Sequence, residues 1–336
     1  MGNWLSRRPG GSAAVSINGY KNVCGRKTVL ESDFSREDVV MSGRIREREY
    51  FCGWYFKCQS EEESVAVIPA VHTVGGRQTG SIQLITGEKS WNCPFPSLDG
   101  QIPIHRIHRN RPCARLEENV FSENGIRLNL HTGTLSATGS LRFGKPSPIC
   151  YDIMGPFCCI PFMECRHRVF SMRHTVDGRL QVNGKTYCFE NGVGYIEGDQ
   201  GRSFPKQYMW TQCCFDGGSL MLATAEIPLG PVRFTGVIGV IQLHGREYRL
   251  ATYLGAKVVC IRNHEAVIRQ GDLTMTVTWP DRLSHPLQAP TDGAMTRTIR
   301  ENVVCRARYQ LRRKNHILFD FETSEASFEY EYNGGE

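Results

Sequence analysis

The chain has 336 residues, of which 40% are hydrophobic and 22% are charged, and its formal net charge is +6. This length and composition are typical of a globular protein of two domains and argue against a disordered or fibrous chain. Lysine and arginine are scattered along the chain, apart from a short cluster at residues 306–314, so no nucleic-acid partner is expected.

Residues 1–40 are polar, patternless and rich in Gly, Ser and Arg, which predicts a flexible arm or an upstream over-reading of the gene with Met41 as the start. From Met41 onward the hydrophobic period is 2, as in β-strands. Val237–Ile241 and Leu273–Trp279 are predicted strands, and no amphipathic helix longer than about two turns is expected. Tight turns are predicted at four dipeptides: Thr138-Gly139, Asp177-Gly178, Asn183-Gly184 and His244-Gly245.

Evenly spaced strands joined by such turns are typical of antiparallel barrels or sandwiches. A weak internal repeat supports two similar halves, because Trp54–Cys58 and Trp210–Cys214 share the form W-x-x-x-C and each precedes an apolar run. The sequence therefore predicts an all-β protein with a first domain over residues 41–182 and a second over residues 183–336.

The fourteen cysteines are predicted to be reduced thiols that pack as small hydrophobic side chains. The adjacent pairs Cys158-Cys159 and Cys213-Cys214 would point to opposite faces of a strand, and the chain has no C-x-x-C pair, so no metal site is expected. Residues 1–40 lack the apolar core of a signal peptide, and no run approaches the roughly 18 apolar residues of a membrane helix. We therefore expect a cytoplasmic protein without stable membrane insertion, and transient membrane contact stays open.

The densest group of chemically active side chains lies in residues 194–205, GYIEGDQGRSFP. If this segment is extended, Tyr195, Glu197 and Asp199 project from one face. Two close carboxylates repel, so one of them can keep its proton near neutral pH and act as a general acid. The alternative is a glycine-rich turn whose carboxylates are solvated or paired with Arg202. Nearby aromatic rings could stabilise a developing cation: Phe204, Tyr208 and Trp210.

A second polar cluster lies at Glu164–His167. In a strand, Glu164 and Arg166 would share one face, and Cys165 and His167 the other. A Glu–Arg pair is usually structural, so Glu164 and His167 are kept only as candidate substrate-binding residues. The chain contains no G-x-S-x-G, H-E-x-x-H, Walker or dinucleotide motif, so hydrolase, metalloenzyme and nucleotide-dependent functions are poorly supported.

Residues 194–213, GYIEGDQGRSFPKQYMWTQC, resemble the signature of the tocopherol cyclase family, approximately Y-x-E-K-x-W-G-x-x-F-P-x-x-x-x-W-x-Q-C. Gly53–Lys57 is similar to the family's F-E-G-W-Y-F-K, and Pro286–Thr291 to its P-L-x-A-P-T, in the same order. The resemblance implies two packed lipocalin-like β-barrels that enclose a hydrophobic site. It also implies cofactor-free chemistry, in which a prenyl double bond is protonated and a neighbouring phenol oxygen closes a ring.

This chain departs from the family pattern at three positions, because the family's Lys is Gly198, its Trp is Gln200, and the Glu before Gly-Trp-Tyr is Cys52. Three functions therefore stay open. The first is a cyclase or isomerase that protonates a hydrophobic, prenylated small molecule. The second is a non-catalytic binder of such a molecule. The third is a purely structural or protein-interaction role, which a cavity filled by side chains would favour.

For the enzyme, Glu197 is the expected proton donor, and Asp199 and Tyr195 are expected to tune it. Gln212 or Arg202 would orient a polar head group, and no cofactor is expected. The full set of expected substrate-binding residues is Trp54, Tyr55, Glu164, His167, Arg202, Phe204, Trp210 and Gln212.

Overall fold

The computed structural model describes residues 49–98, 112–160, 163–229, 232–262, 264–279 and 285–332. The predicted arm or over-read start at residues 1–40 lies outside these ranges. The described residues form twenty β-strands and two short 3-10 helices, Gly155–Cys159 and Thr252–Leu254, and contain no α-helix. Neither helix is long and apolar enough to cross a membrane. The predicted all-β class is confirmed.

The first ten strands form one antiparallel sheet in the order β4-β3-β2-β1-β10-β9-β8-β7-β6-β5. Their bounds are β1 Tyr50–Gln59, β2 Ser64–Val74, β3 Arg77–Thr86, β4 Ser90–Phe95, β5 Cys113–Leu116, β6 Asn119–Ser122, β7 Gly125–His131, β8 Ser136–Phe143, β9 Cys165–Val182 and β10 Lys185–Gly201.

The other ten strands form a second antiparallel sheet in the order β14-β13-β12-β11-β20-β19-β17-β16-β15, and β18 pairs with β19 outside that order. Their bounds are β11 Tyr208–Phe215, β12 Gly218–Leu229, β13 Val232–Leu243, β14 Arg246–Ala251, β15 Lys257–Arg262, β16 Glu265–Gln270, β17 Leu273–Thr278, β18 His285–Thr291, β19 Ala294–Arg313 and β20 His316–Tyr330.

The two sheets repeat one topology, since each begins with a four-strand meander whose first strand pairs with the last strand of the same sheet. The strands that carry the repeated W-x-x-x-C motif, β1 and β11, hold equivalent places. The chain changes sheet after Gly201, whereas the boundary predicted between residues 182 and 183 is the β9–β10 hairpin inside the first sheet. Because β9 and β10 are hydrogen-bonded to one another, Glu197 belongs to the first sheet.

Two of the four predicted turns are present, at Asn183-Gly184 and His244-Gly245, where both residues have positive φ. The other two predictions are wrong, because Thr138-Gly139 lies inside β8 and Asp177-Gly178 inside β9. Gly139 and Gly178 have φ of 127° and 132°. A Cβ would lie 2.3 Å from a backbone carbonyl oxygen of the neighbouring strand at the first and 2.4 Å at the second. These glycines therefore allow close strand pairing and do not form turns.

Each sheet curls around its own apolar core. In the first, the ring centroid of Phe56 on β1 lies 5.8 Å from that of Phe121 on β6, although the two strands are far apart in the sheet order. In the second, β17 alternates buried and half-buried residues as predicted. Trp279 follows β17 and stacks on Phe328 with centroids 4.9 Å apart.

A third apolar cluster lies between the two sheets, and it includes Tyr55, Trp210 and Ile299. Strand alternation explains how one strand serves two cores. On β1, Trp54 and Phe56 face the core of the first barrel, whereas Tyr55 between them faces the second sheet. This inter-sheet layer contains a cavity that residues of both sheets line.

Candidate active site

A cavity of about 510 Å³ lies between the two sheets, which is a volume typical of small-molecule sites. Titratable groups reach it from both sheets. His167, Glu197 and Asp199 come from the first sheet, and Glu329 comes from the second. Most of its lining is apolar, with the aromatic side chains Phe51, Tyr55, Phe157, Phe204, Tyr208 and Trp210.

The imidazole of His167 bridges two carboxylates. His167 on β9 and Asp199 on β10 are Cα partners, and Nδ1 lies 3.0 Å from Oδ1 of Asp199 in hydrogen-bond geometry. On the other side of the ring, Nε2 lies 3.1 Å from Oε2 of Glu197, but the angle of that contact is not that of a hydrogen bond. The ring is therefore fixed at Nδ1, and Nε2 is only in close contact with Glu197.

This arrangement sets the protonation of His167. Burial by itself would lower the pKa of the imidazole, but the charges of Asp199 and Glu197 and the hydrogen bond to Asp199 outweigh it. The pKa of His167 is therefore raised well above its ordinary value. The two carboxylates on either side of the ring thus favour its protonated form.

Glu197 is anchored from both sheets. Its Oε2 accepts hydrogen bonds from the Tyr195 hydroxyl at 2.5 Å and from the Trp210 indole nitrogen at 3.1 Å. Burial, followed by the charge of Glu197, raises the pKa of Tyr195 well above its ordinary value, so the phenol keeps its proton. Since the His167 contact falls on the same oxygen, Oε2 of Glu197 carries all three contacts.

The predicted site residues divide into those in the cluster and those around the cavity. Tyr195 is 1% exposed and stands behind Glu197 without lining the cavity. Tyr55, Phe204 and Glu164 line the cavity, and Glu164 is exposed. The rings of Phe51 and Tyr208 pack against Phe204.

Three predicted substrate-binding residues lie elsewhere. Trp54 faces the core of the first barrel, because its neighbour Tyr55 takes the cavity side of β1. Arg202 is exposed and forms surface ion pairs. Gln212 is fully buried but is not among the cavity-lining residues. A sequence motif identifies positions along a strand. The packing of the two sheets decides which face of that strand lines the cavity.

The sequence reasoning did not identify two carboxyl groups on the second sheet, of which Glu301 is buried and Glu329 is half-buried. Glu301 on β19 and Glu329 on β20 are Cα partners, and Glu329 lines the cavity. The Tyr55 hydroxyl donates to Glu301 at 2.6 Å, and the Tyr208 hydroxyl donates to Glu329 at 2.6 Å. The available clue was a glutamate at an inward position of β19, with apolar residues two places away on either side.

Burial dominates the ionisation of this pair. It raises the pKa of Glu301 to about 7 and raises that of Glu329 well above the ordinary value for a glutamate. The hydrogen bond from Tyr55 opposes the shift at Glu301, and that from Tyr208 opposes it at Glu329, without cancelling either. The second sheet thus brings acids that retain protons near neutral pH to the inter-sheet layer.

The donor atoms of His167, Glu197 and Asp199 lie within 4.8 Å of one another, which is also the spacing of a cation site. A metal-bound imidazole directs one nitrogen lone pair at the metal and donates from the other nitrogen. Here each nitrogen faces a different carboxylate. This geometry fits a protonated ring, so we interpret the cluster as a proton site.

The three departures from the family motifs are neighbours. Cys52 pairs with Gln200, and Trp54 pairs with Gly198, in the β1–β10 register. Strand alternation places them on the side of β10 opposite to the two carboxylates. A Cβ at Gly198 would lie 2.8 Å from the carbonyl oxygen of Gly53 and 3.2 Å from Trp54, so the family's lysine would not fit here. These three differences from the family motifs do not replace Glu197 or Asp199.

Together, the fold and the site define a two-barrel, lipocalin-like β protein with buried titratable groups around an apolar cavity. A family model described as tocopherol cyclase-like matches residues 136–331, which is more than half of the chain. The chain belongs to the tocopherol cyclase-like family. The matched region includes the Glu197 motif and Glu301 and Glu329, and it begins after the Gly53–Lys57 motif.

Solved structures share this fold. An AttH protein from Nitrosomonas europaea has 10% identity and a TM-score of 0.50, and the match covers 85% of this chain and 93% of that chain. Kievitone hydratase from Nectria haematococca has 9% identity and a TM-score of 0.50, with 84% and 89% covered. CghA has 11% identity and a TM-score of 0.51, with 86% and 90% covered, and another CghA structure contains Sch210972. These likenesses confirm the predicted lipocalin-like barrels, and a search of curated proteins finds no match.

Proposed function

We propose that the protein is an enzyme that cyclises or isomerises a hydrophobic small molecule, of the prenylated phenol class, by protonating a double bond. The observation that carries this proposal is the His167 imidazole, held between Glu197 and Asp199 at the wall of an apolar cavity. Membership of the tocopherol cyclase-like family and the fold shared with a hydratase support it.

The sequence assigned proton donation to Glu197, and the geometry favours a division of roles. His167 carries the proton, and its Nε2 is free of a hydrogen bond among the described residues. Glu197, 3.1 Å from Nε2, exchanges the proton with the ring, and Asp199 fixes the ring through Nδ1. A general acid positioned in this way typically contributes roughly 10²–10⁴-fold to a rate.

The cavity suits a reaction through a cation. The π electrons of the double bond take the proton, and the positive charge on the other carbon faces aromatic rings, including Phe204, Tyr208 and Trp210. The substrate's own oxygen then attacks that carbon and releases its proton, so the reaction is an isomerisation that needs no other reactant. The apolar walls limit competing capture of the cation by water.

The test uses 2-geranylhydroquinone as substrate, with the chromanol product measured by liquid chromatography and mass spectrometry. We expect turnover by the wild type and a loss of about 100-fold or more in Glu197→Gln. The matched control is Glu190→Gln, since Glu190 is an exposed residue of the same strand and should leave turnover unchanged.

Unchanged turnover in Glu197→Gln would refute the proposed role of the cluster. Binding of prenylated phenols without any product would instead favour the non-catalytic binder. A chelator such as EDTA should have no effect on turnover. A loss that added divalent metal reverses would assign His167, Glu197 and Asp199 to a metal.

A further inference from the structure

The Glu301–Glu329 pair stands in a row of side chains that crosses the second sheet. In the strand register, Trp210 on β11 is the partner of Glu329 on β20, which is the partner of Glu301 on β19. Trp210 also donates its indole hydrogen to Glu197 of the first sheet. Trp210 therefore connects the Glu301–Glu329 pair to the cluster that contains His167.

A hydrogen bond between the carboxyl groups of Glu301 and Glu329 requires that one of them carries a proton. Glu301 is 0% exposed, and its Oε2 finds no donor among the described residues. Glu329 is the Cα partner of Glu301 in the β19–β20 register, and a carboxyl donates a hydrogen bond only when it is protonated. A shared proton satisfies the buried oxygen and removes one of two like charges from an apolar layer.

The titratable groups that face the pair come from both sheets. Tyr55 and Tyr208 donate to it, and burial raises the pKa of both phenols, so they stay neutral. The charge of Glu197 on β10 raises the pKa of Glu301, and Lys57 on β1 lowers it. Burial in turn lowers the pKa of Lys57, whose ammonium donates to the carbonyl of Glu325 at 2.8 Å.

We propose that Glu301 and Glu329 form a second proton-exchange site, which binds the hydroxyl group of the substrate and takes up its proton. This inference rests on the proposed function and deepens it. Glu329 is the residue that touches the substrate, because it lines the cavity, and Glu301 acts through Glu329 as a positioning residue and proton acceptor.

The step balances without another reactant. As the substrate's oxygen attacks the cation, its O–H bond breaks and the proton passes to Glu329. Glu329 at the same time gives its own proton to the Glu301 carboxylate. After the reaction, the pair holds one more proton and His167 holds one fewer. Water that enters when the product leaves carries this proton back to His167 and restores the starting state.

The pair also defines the class of substrate. A neutral phenol or alcohol can donate to or accept from a half-protonated carboxyl pair, whereas a substrate carboxylate would meet the negative charge of that pair. We therefore expect a neutral, amphiphilic substrate that combines one hydroxyl with an unsaturated chain. Carboxylic acids of the same size should bind poorly.

The first experiment needs no turnover. Infrared spectra of the wild type at about pH 7.5 should contain the C=O band of a protonated carboxyl group. This band should be absent from the double variant Glu301→Gln/Glu329→Gln. It should remain in Glu322→Gln, which changes an exposed glutamate of the same strand, β20. A wild-type spectrum without the band, or a band that survives in the double variant, overturns the inference.

The second experiment compares the binding of 2-geranylphenol with that of its O-methyl ether. The wild type and Glu322→Gln should bind the phenol about 10-fold more tightly, because the ether cannot donate a hydrogen bond. The double variant should lose this preference. Equal binding of the two compounds by the wild type, or a preference retained by the double variant, overturns the inference.

A third readout separates this inference from the proposed function. If the wild type cyclises 2-geranylhydroquinone, its rate should rise with pH through about 7 as Glu301 becomes a carboxylate, and Glu301→Gln should lose this rise. A rise that persists in Glu301→Gln overturns the inference while the cyclase remains. If no prenylated phenol is turned over, the proposed function fails, and the band and the ether comparison still decide whether the pair holds a proton and binds a hydroxyl.

Discussion

Two buried acid groups face one cavity, and they carry their protons in different ways. In the first sheet, Glu197 and Asp199 flank an imidazole, which takes the proton and becomes a cation. In the second sheet, Glu301 and Glu329 meet each other and two phenols, so a carboxyl itself keeps the proton. The comparison teaches that a neighbouring base changes which group carries the proton: the imidazole does so in the first sheet, whereas in the second sheet burial raises the pKa of the carboxyl groups themselves.

Folding raises the pKa of His167 and that of Glu301, so the stability that each contributes is lost as pH rises, but in different pH windows. Glu301 contributes stability below its unfolded pKa of about 4.5, and this contribution is lost as pH rises to about 7. His167 contributes stability below about 6.5, and this is lost only as pH rises through its strongly raised folded pKa. A titration of stability can therefore separate the two sites.

The largest effect is expected for His167→Gln, which removes the imidazole from between the carboxylates of Glu197 and Asp199. We expect turnover of 2-geranylhydroquinone to fall by about 10³-fold, because the proton donor is lost. The free energy of unfolding should also lose its decline above about pH 6.5. His131→Gln, a change at an exposed histidine of β7, is the control and should affect neither measurement. Activity that survives in His167→Gln would move the proton donor to another residue.

The next largest effect is expected for Glu301→Gln, measured as the free energy of unfolding against pH. A shift from 4.5 to about 7 in a fully buried group corresponds to a change on the order of 3 kcal/mol. The variant should therefore gain stability relative to the wild type as pH rises from about 4.5 to 7, and the difference should then level off. Parallel curves for the two proteins would show that Glu301 is ionised in the folded state like an exposed glutamate.

The smallest effect is expected for Trp210→Phe, which keeps an aromatic wall but removes the indole donor to Glu197. The loss of one hydrogen bond to a carboxylate should lower turnover by about 10-fold. Trp54→Phe is the matched variant, because Trp54 packs in the core of the first barrel. It should lower the unfolding temperature and leave turnover unchanged. Equal losses of turnover in the two variants would contradict the placement of Trp54 outside the cavity.

Much of the candidate site could be predicted from local sequence. Tyr195, Glu197 and Asp199 alternate on one strand, and the structure joins Tyr195 to Glu197 and connects Asp199 to it through His167. The motif did not show that His167 would lie between the two carboxylates. That contact depends on the β9–β10 register, which pairs residues 32 positions apart.

Glycine was the least reliable guide to the fold. Asn183-Gly184 and Gly139 look similar in a sequence, since each is a glycine between apolar segments. The first forms a hairpin turn, and the second lets a strand approach its neighbour. Both need positive φ, and only the pairing of strands decides which use applies.

The sequence by itself determined the all-β class, the repeated architecture and the strand that carries Glu197, because these follow from period-2 hydrophobicity and short motifs. Tertiary structure alone decided that β1 presents Tyr55 rather than Trp54 to the cavity and that Glu301 meets Glu329 beneath it. The reason is physical. Alternation gives a strand two faces, but which face is buried against the second sheet, and which acids share that layer, depends on how the two sheets pack.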